Sequence, residues 1–268
     1  MVSGFPSINL LLLSLIFSCN LIFSQNISVE SINRFETGEL LEYRLHYGIF
    51  NTSYASLKLN NVILDNKSVY HAAGYGKTTG LARLFFKVED YYDSYFDASS
   101  INPLFFKRNI DEGGYTKNLE IVFDQEKQMA YINNIKEKKK TEVKTAPNSQ
   151  DLISSLYYLR KFFKKEDIKE NEYFNINMFY DSKNRFFELQ YLGTEVIRTR
   201  FGKIECLKFK PTTKRSRIFR GEGSITIWLS NDQNRIPVRI QADLLIGSIK
   251  ADLNNFDGLI KPLVAKTN

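Results

Sequence analysis

The stretch Gly38-Glu39-Leu40-Leu41-Glu42-Tyr43-Arg44-Leu45-His46-Tyr47-Gly48-Ile49 places Leu41, Tyr43, Leu45, Tyr47 and Ile49 at alternate positions. After a Phe50-Asn51-Thr52-Ser53 break, alternation resumes at Tyr54 and runs through Ala55, Leu57 and Leu59 to Val62-Ile63-Leu64. Successive side chains of a strand point to opposite faces, so two such runs joined by a short polar break read as a β-hairpin. The break at 50–53 is the expected turn.

Working downstream, the same period recurs. Strands are expected at 67–79, 87–98, 104–110, 115–123, 129–135, 173–180, 185–192, 195–199, 203–210, 224–229, 236–240 and 247–251. Turn chemistry separates them: Asn102-Pro103, Asp111-Glu112-Gly113-Gly114, Asp124 to Gln128, Asp181 to Asn184 and Gly193-Thr194. The run Lys136-Glu137-Lys138-Lys139-Lys140 reads as a solvated edge or loop tip, where lysines discourage pairing with another chain. Residues 81–86 have apolar spacing that suits one or two helical turns, with a strand as the alternative.

One principal helix interrupts the strands. Pro147-Asn148-Ser149-Gln150-Asp151 supplies the cap, and Leu152, Leu156, Leu159 and Phe163 recur at helical spacing. Arg160, Lys161, Lys164 and Lys165 close it, where cations suit the negative end of the helix dipole. The pattern predicts a mainly β chain forming a single domain over 25–252, with a polar lead-in at 25–37 and a loose tail at 253–268.

Upstream, residues 8–23 carry no charge and read as the apolar region of a signal peptide, too short and too polar for a membrane span. Cleavage is expected after Ser24, leaving Gln25 first and no transmembrane span in the mature chain. A competing reading takes Ile16-Phe17-Ser18-Cys19 as a lipobox with Cys19 lipidated. Either way the protein is exported to the periplasm or cell envelope. With Ser24 as the cut, Cys206 is left as the single cysteine and serves as a small buried hydrophobe.

The chain has 268 residues, with 37 Lys and Arg against 30 Asp and Glu, a net charge of +7. The cations are scattered, which suits solubility and gives no nucleic-acid footprint. His46 and His71, on strands read as neighbouring, are too few with Cys206 for a zinc site, and there is no Gly-x-Ser-x-Gly elbow, phosphate loop or dinucleotide fingerprint. No catalytic residue, metal or cofactor is expected. Glu89-Asp90 and Asp111-Glu112 read as solvated strand ends. Two features point to binding. Lys214, Arg215, Arg217 and Arg220 surround Phe219 and offer guanidinium forks to an anion or a partner. The 21 Phe and 15 Tyr supply enough aromatic surface to line an apolar cavity.

Four passages resemble the exported bacterial family known as domain of unknown function 3108. They are Gly38 to Tyr43 with Tyr47-Gly48, Gln150 to Arg160, Phe201 to Cys206, and Ile227-Trp228-Leu229-Ser230-Asn231-Asp232 leading to Ile236-Pro237-Val238. The resemblance implies a curled antiparallel sheet or incomplete β-barrel, similar to a YmcC-type fold, and carries over no activity. The expected function is non-catalytic binding or carriage of a lipid or other apolar or amphipathic envelope ligand, in a hollow of about 300 Å³ or more between helix and sheet. The alternative is a structural or assembly partner in surface polysaccharide or protein export, and a carboxylate-based glycan hydrolase is the more remote one.

Overall fold

The computed structural model describes residues 33–212, 225–244 and 246–265. The apolar leader, Cys19, the Ser24–Gln25 junction and the basic residues Lys214, Arg215, Arg217 and Arg220 lie outside them. The elements, in chain order, are β1 (Leu40–Tyr47), β2 (Phe50–Leu64), β3 (Lys67–Thr78), α1 (Gly80–Phe85), β4 (Val88–Phe96), β5 (Pro103–Glu112), β6 (Tyr115–Asp124), β7 (Met129–Asn134) and β8 (Lys139–Lys144). There follow α2 (Ser154–Phe162), β9 (Tyr173–Tyr180), β10 (Lys183–Thr199), β11 (Gly202–Thr212), β12 (Ile225–Ser230), β13 (Pro237–Asp243) and β14 (Ser248–Asp257).

The fourteen strands of the described residues belong to one antiparallel sheet in the order β8-β7-β6-β5-β4-β3-β2-β1-β14-β13-β12-β11-β10-β9. Two meanders are therefore joined where β1 pairs with β14, and the free edges β8 and β9 are the strands that flank α2 in sequence. The sheet curls. Strands β6 and β9 stand third and fourteenth in the order, yet Phe123 of β6 packs on Phe179 of β9 with ring centroids 5.9 Å apart. Register shifts at Glu42/Tyr43, Leu45/His46, Tyr95/Phe96, Tyr191/Thr194 and Trp228/Leu229 supply the bends, because a bulge adds local twist. Across the gap between β8 and β9, Gln150 N donates to Asn177 O and the Gln150 carbonyl accepts from Phe179 N, both at 2.8 Å, while Asn184 Nδ2 of β10 donates to Lys144 O of β8 at 2.7 Å.

The helix lies on the concave side. Tyr157, Leu159, Arg160 and Phe163 are each no more than 2% exposed. Tyr157 meets Phe96 of β4 at 5.2 Å, while Phe163 meets Phe209 of β11 at 4.8 Å and Tyr191 of β10 at 5.3 Å. One short helix thus touches both meanders and fills the curl, and each large apolar side chain it buries contributes roughly 1.5–3 kcal/mol.

Several expectations need correction. The first turn is Gly48-Ile49, with Gly48 at φ 57°, and 50–53 belongs to β2. Residues 185–199 form one strand with a bulge, since Gly193 at φ 82° absorbs the extra residue rather than reversing the chain. The lysine run is solvated as expected, a turn that leads into the edge strand β8. The polar lead-in carries Phe35, which is 1% exposed and packs 4.8 Å from Tyr157. Strand β14 continues to Asp257 because β1 needs a partner along its whole length, and Leu259, Leu263 and Ala265 of the expected tail pack against the core. Helix α2 starts at Ser154, leaving Leu152 38% exposed, and Lys164 and Lys165 fall beyond its end.

Candidate functional site

The residues that hold the fold together and those that remain open to a ligand are different sets. At the centre, Arg160 Nη1 and Nη2 donate to Glu39 Oε1 and Oε2 at 2.7 and 2.6 Å. Nη2 also donates to Arg34 O at 3.3 Å and Asn234 O at 3.1 Å. Both side chains are at most 1% exposed. Burial works against the guanidinium charge, but Glu39 outweighs it and holds Arg160 more firmly protonated than usual. The loop that supplies Asn234 O is built by Ser230, whose hydroxyl donates to Asp232 Oδ1 at 2.7 Å and accepts from Ile236 N at 3.0 Å. Arg235 donates to Phe163 O just beyond the helix. Three of the passages that carry the family resemblance therefore meet at one buried ion pair. Its charges are spent on each other and on backbone carbonyls, so it is a structural pin. Arg160 holds the last-turn position expected of it, but there it is buried against Glu39.

The helix start is fixed in a similar way. Asp151 Oδ1 accepts from Ile153 N and Ser154 N, both at 2.8 Å, and Oδ2 accepts from Ser94 Oγ at 2.6 Å. Burial dominates these bonds and pushes the Asp151 carboxyl up to about 6.

One open feature among the described residues is a cleft of about 580 Å³ on the concave face of β6, β7 and β8, closed on one side by Ser182 of the β9–β10 turn. Leu119, Ile132 and Val143 form an apolar floor, and Lys117, Lys136 and Lys139 stand around the rim together with Glu137 and Glu142. Lys117 Nζ lies 2.8 Å and Arg108 Nη1 2.9 Å from Asp181 Oδ1, which ties β5 and β6 to the β9–β10 turn and shapes one wall. Burial would raise the Asp181 carboxyl, but the Lys117 and Arg108 cations outweigh it and keep it below the usual range. The cleft lies beside the helix-filled region, not between helix and sheet as expected. Its residues went unnoticed in the sequence because β8 hides in a lysine run; the alternation of Lys139, Thr141 and Val143 is the signal that marks its inward face.

The residues singled out earlier are dispersed. Strand β2 separates His46 on β1 from His71 on β3. Their Nε2 atoms face Asp252 and Asp93 respectively, each at 2.8 Å, and His71 stacks on Tyr95 at 4.3 Å. Cys206 is fully buried, and burial pushes its thiol up to about 12. Of the carboxylate pairs, Glu89 pairs with Arg83 at 2.9 Å and Asp111 with Lys87 at 2.8 Å. Asp90 and Glu112 do come together; burial and then the Glu112 charge push Asp90 up to about 6. Asp90 is thus a buried strand residue rather than a solvated strand end. Among the described residues no three His, Cys, Asp or Glu side chains are grouped to hold a metal, and no helix is long and apolar enough to cross a membrane.

A family model described as a protein of unknown function, DUF3108, matches residues 42–254. No curated protein matches the chain. Among solved structures, a β-barrel-like protein of domain of unknown function DUF1849 from Brucella abortus is similar with a TM-score of 0.56 and 11% identity, over 84% of this chain and 99% of that one. A DUF1089 family protein from Pseudomonas aeruginosa is similar with a TM-score of 0.38 and 9% identity, over 72% of this chain and 92% of that one. Only the first likeness bears on the fold, where it agrees with the curled sheet.

Proposed function

Because the chain belongs to the DUF3108 family of proteins of unknown function, its role has to be read from its own geometry, and we propose a non-catalytic, exported cell-envelope protein that binds an amphipathic ligand. The observation that carries this reading is the cleft of about 580 Å³ over β6–β8, with an apolar floor and a lysine rim. A volume within the roughly 300–1,000 Å³ range of small-molecule sites admits an acyl segment. The rim cations suit an anionic head group. Export is supported by the uncharged leader at 8–23.

Native mass spectrometry of protein purified from its own host, with solvent extraction, tests the reading. Wild type is expected to carry an extractable amphipathic molecule. Thr141→Trp, which fills the cleft from the solvent-accessible edge strand, is expected to lose it while the circular dichroism spectrum is retained. Ligand-free wild-type protein, or equal loading of the Trp variant, would overturn the proposal.

A second reading, an assembly partner in the envelope, is favoured by the chemistry of one sheet end. Of the six large apolar side chains more than 70% exposed among the described residues, Ile49, Leu81, Leu84, Phe85 and Ile246 lie on connections at that end. Cross-linking in envelope fractions should give a defined complex that Leu84→Ser/Phe85→Ser abolishes; an unchanged complex would exclude this end as the contact.

A further inference from the structure

On the convex face, Arg44 of β1 lies opposite Asp252 of β14, which lies opposite Arg239 of β13. Strand alternation puts all three on the face away from Leu45 and Ala251, which pack against the core. Just beyond the end of β10, Arg200 reaches β14 beside this row, its Nη1 donating to Asn254 O at 2.7 Å and Asn254 Oδ1 at 3.0 Å. The result is a groove of about 260 Å³ lined by Arg44, His46, Arg198, Arg200, Arg239 and Asp252.

The charge balance in this groove is one-sided. Asp252 is the single carboxylate lining it, and both its oxygens are engaged, Oδ1 by Arg239 Nε and Oδ2 by His46 Nε2 at 2.8 Å. The nearest acidic neighbour along β1, Glu42, is taken up by Tyr54 Oη at 2.5 Å and Asn255 Nδ2 at 2.8 Å. Four guanidinium groups thus face one carboxylate, an excess of three positive charges from the arginines and Asp252 alone. Neither Arg44 nor Arg198 has a carboxylate partner among the described residues. Like charges on neighbouring strands repel, and a concave wall concentrates their field. Rigid strands hold the groups in place, and planar guanidinium forks match the tetrahedral oxygens of a phosphoryl group.

We propose that this groove is a binding site for a phosphate group, free or carried on a phosphorylated head group, with Arg44 and Arg198 as its principal donors. The site is on the opposite face of the sheet from the β6–β8 cleft and does not depend on that cleft being occupied.

Isothermal titration of the full exported chain at constant ionic strength tests it in two arms. Inorganic phosphate is the first probe. Vesicles of phosphatidylcholine with and without phosphatidic acid are the second. Saturable binding in the first arm identifies free phosphate, and binding only to the phosphatidic acid vesicles identifies a lipid-borne one. Arg198→Gln and Arg44→Gln are each expected to weaken binding about tenfold or more, the loss of one charge-assisted bond. Lys67→Gln, which removes an exposed cation elsewhere on the sheet, should leave it unchanged. Absence of binding in both arms, or an equal loss in Lys67→Gln, would overturn the proposal.

Discussion

At the scale of single residues, the Glu39–Arg160 pair is the contact to break first. It joins the start of β1 to α2 with both charges buried, so removing one partner strands the other. Arg160→Met is expected to lower unfolding free energy by roughly 3–5 kcal/mol, whereas Glu39→Met/Arg160→Met, which strands neither charge, should recover much of it. Urea titrations of wild type, both singles and the double give the coupling; additive losses would show that the pair is not the pin described. Asp151 gives a pH test. Its folded value of about 6 lies above the ordinary 3.8, so burial favours the protonated acid in the folded state. The stability it contributes is complete below about pH 4 and is lost as pH rises through 6, at up to about 1.4 kcal/mol per pH unit. Asp151→Asn removes this titration. Wild-type stability relative to the variant should therefore fall between pH 4 and 7 in parallel chemical denaturations, and a constant difference would contradict the assignment.

At the scale of elements, the β1–β2 hairpin was legible because period-two alternation is strong there and one face is buried. What escaped were a few places where a polar residue or a glycine continues a strand, or where a buried charge has a distant partner. Residues 253–257 contain Asn254 and Asn255 and read as the start of a tail, but they belong to β14, where Asn255 lies opposite Glu42 of β1. Gly193 reads as a turn because a bulge and a turn ask the same freedom of the backbone. Arg160 reads as a helix-end cation because sequence spacing does not reveal Glu39 lying 121 positions away. The β14 extension makes its own prediction. Gly258 has φ 64°, and an added Cβ would stand 2.3 Å from Gly38 O, whereas at Gly48, φ 57°, it would meet nothing within 4 Å. Gly48→Ala should cost about 1–2 kcal/mol for the backbone conformation alone. Gly258→Ala should cost more, by the roughly 1–3 kcal/mol of a steric clash, with the start of β1 displaced. Equal midpoints in thermal melts would show that the β14 end is not seated on β1.

At the scale of the whole described molecule, one sheet of fourteen strands would leave a long unsupported concave face, and α2 fills it. The antiparallel, mainly β architecture and the existence of a principal helix followed from the sequence, and the curl followed from the family resemblance. The solidity of the curl did not, because helical spacing shows that a face is apolar without showing what encloses it. The same filling moves any ligand site away from the helix, to the cleft over β6–β8 and to the convex arginine groove. The central claim is that α2 is the inner core of the sheet and not a removable cover. Native-state hydrogen exchange measures this directly. Amides of Leu159, Arg160 and Phe163 are expected to exchange only through global unfolding, with the same opening free energy as buried strand amides such as Leu41 and Leu207. Exchange of the α2 amides through a separate opening several kcal/mol lower, with the strands still protected, would contradict it.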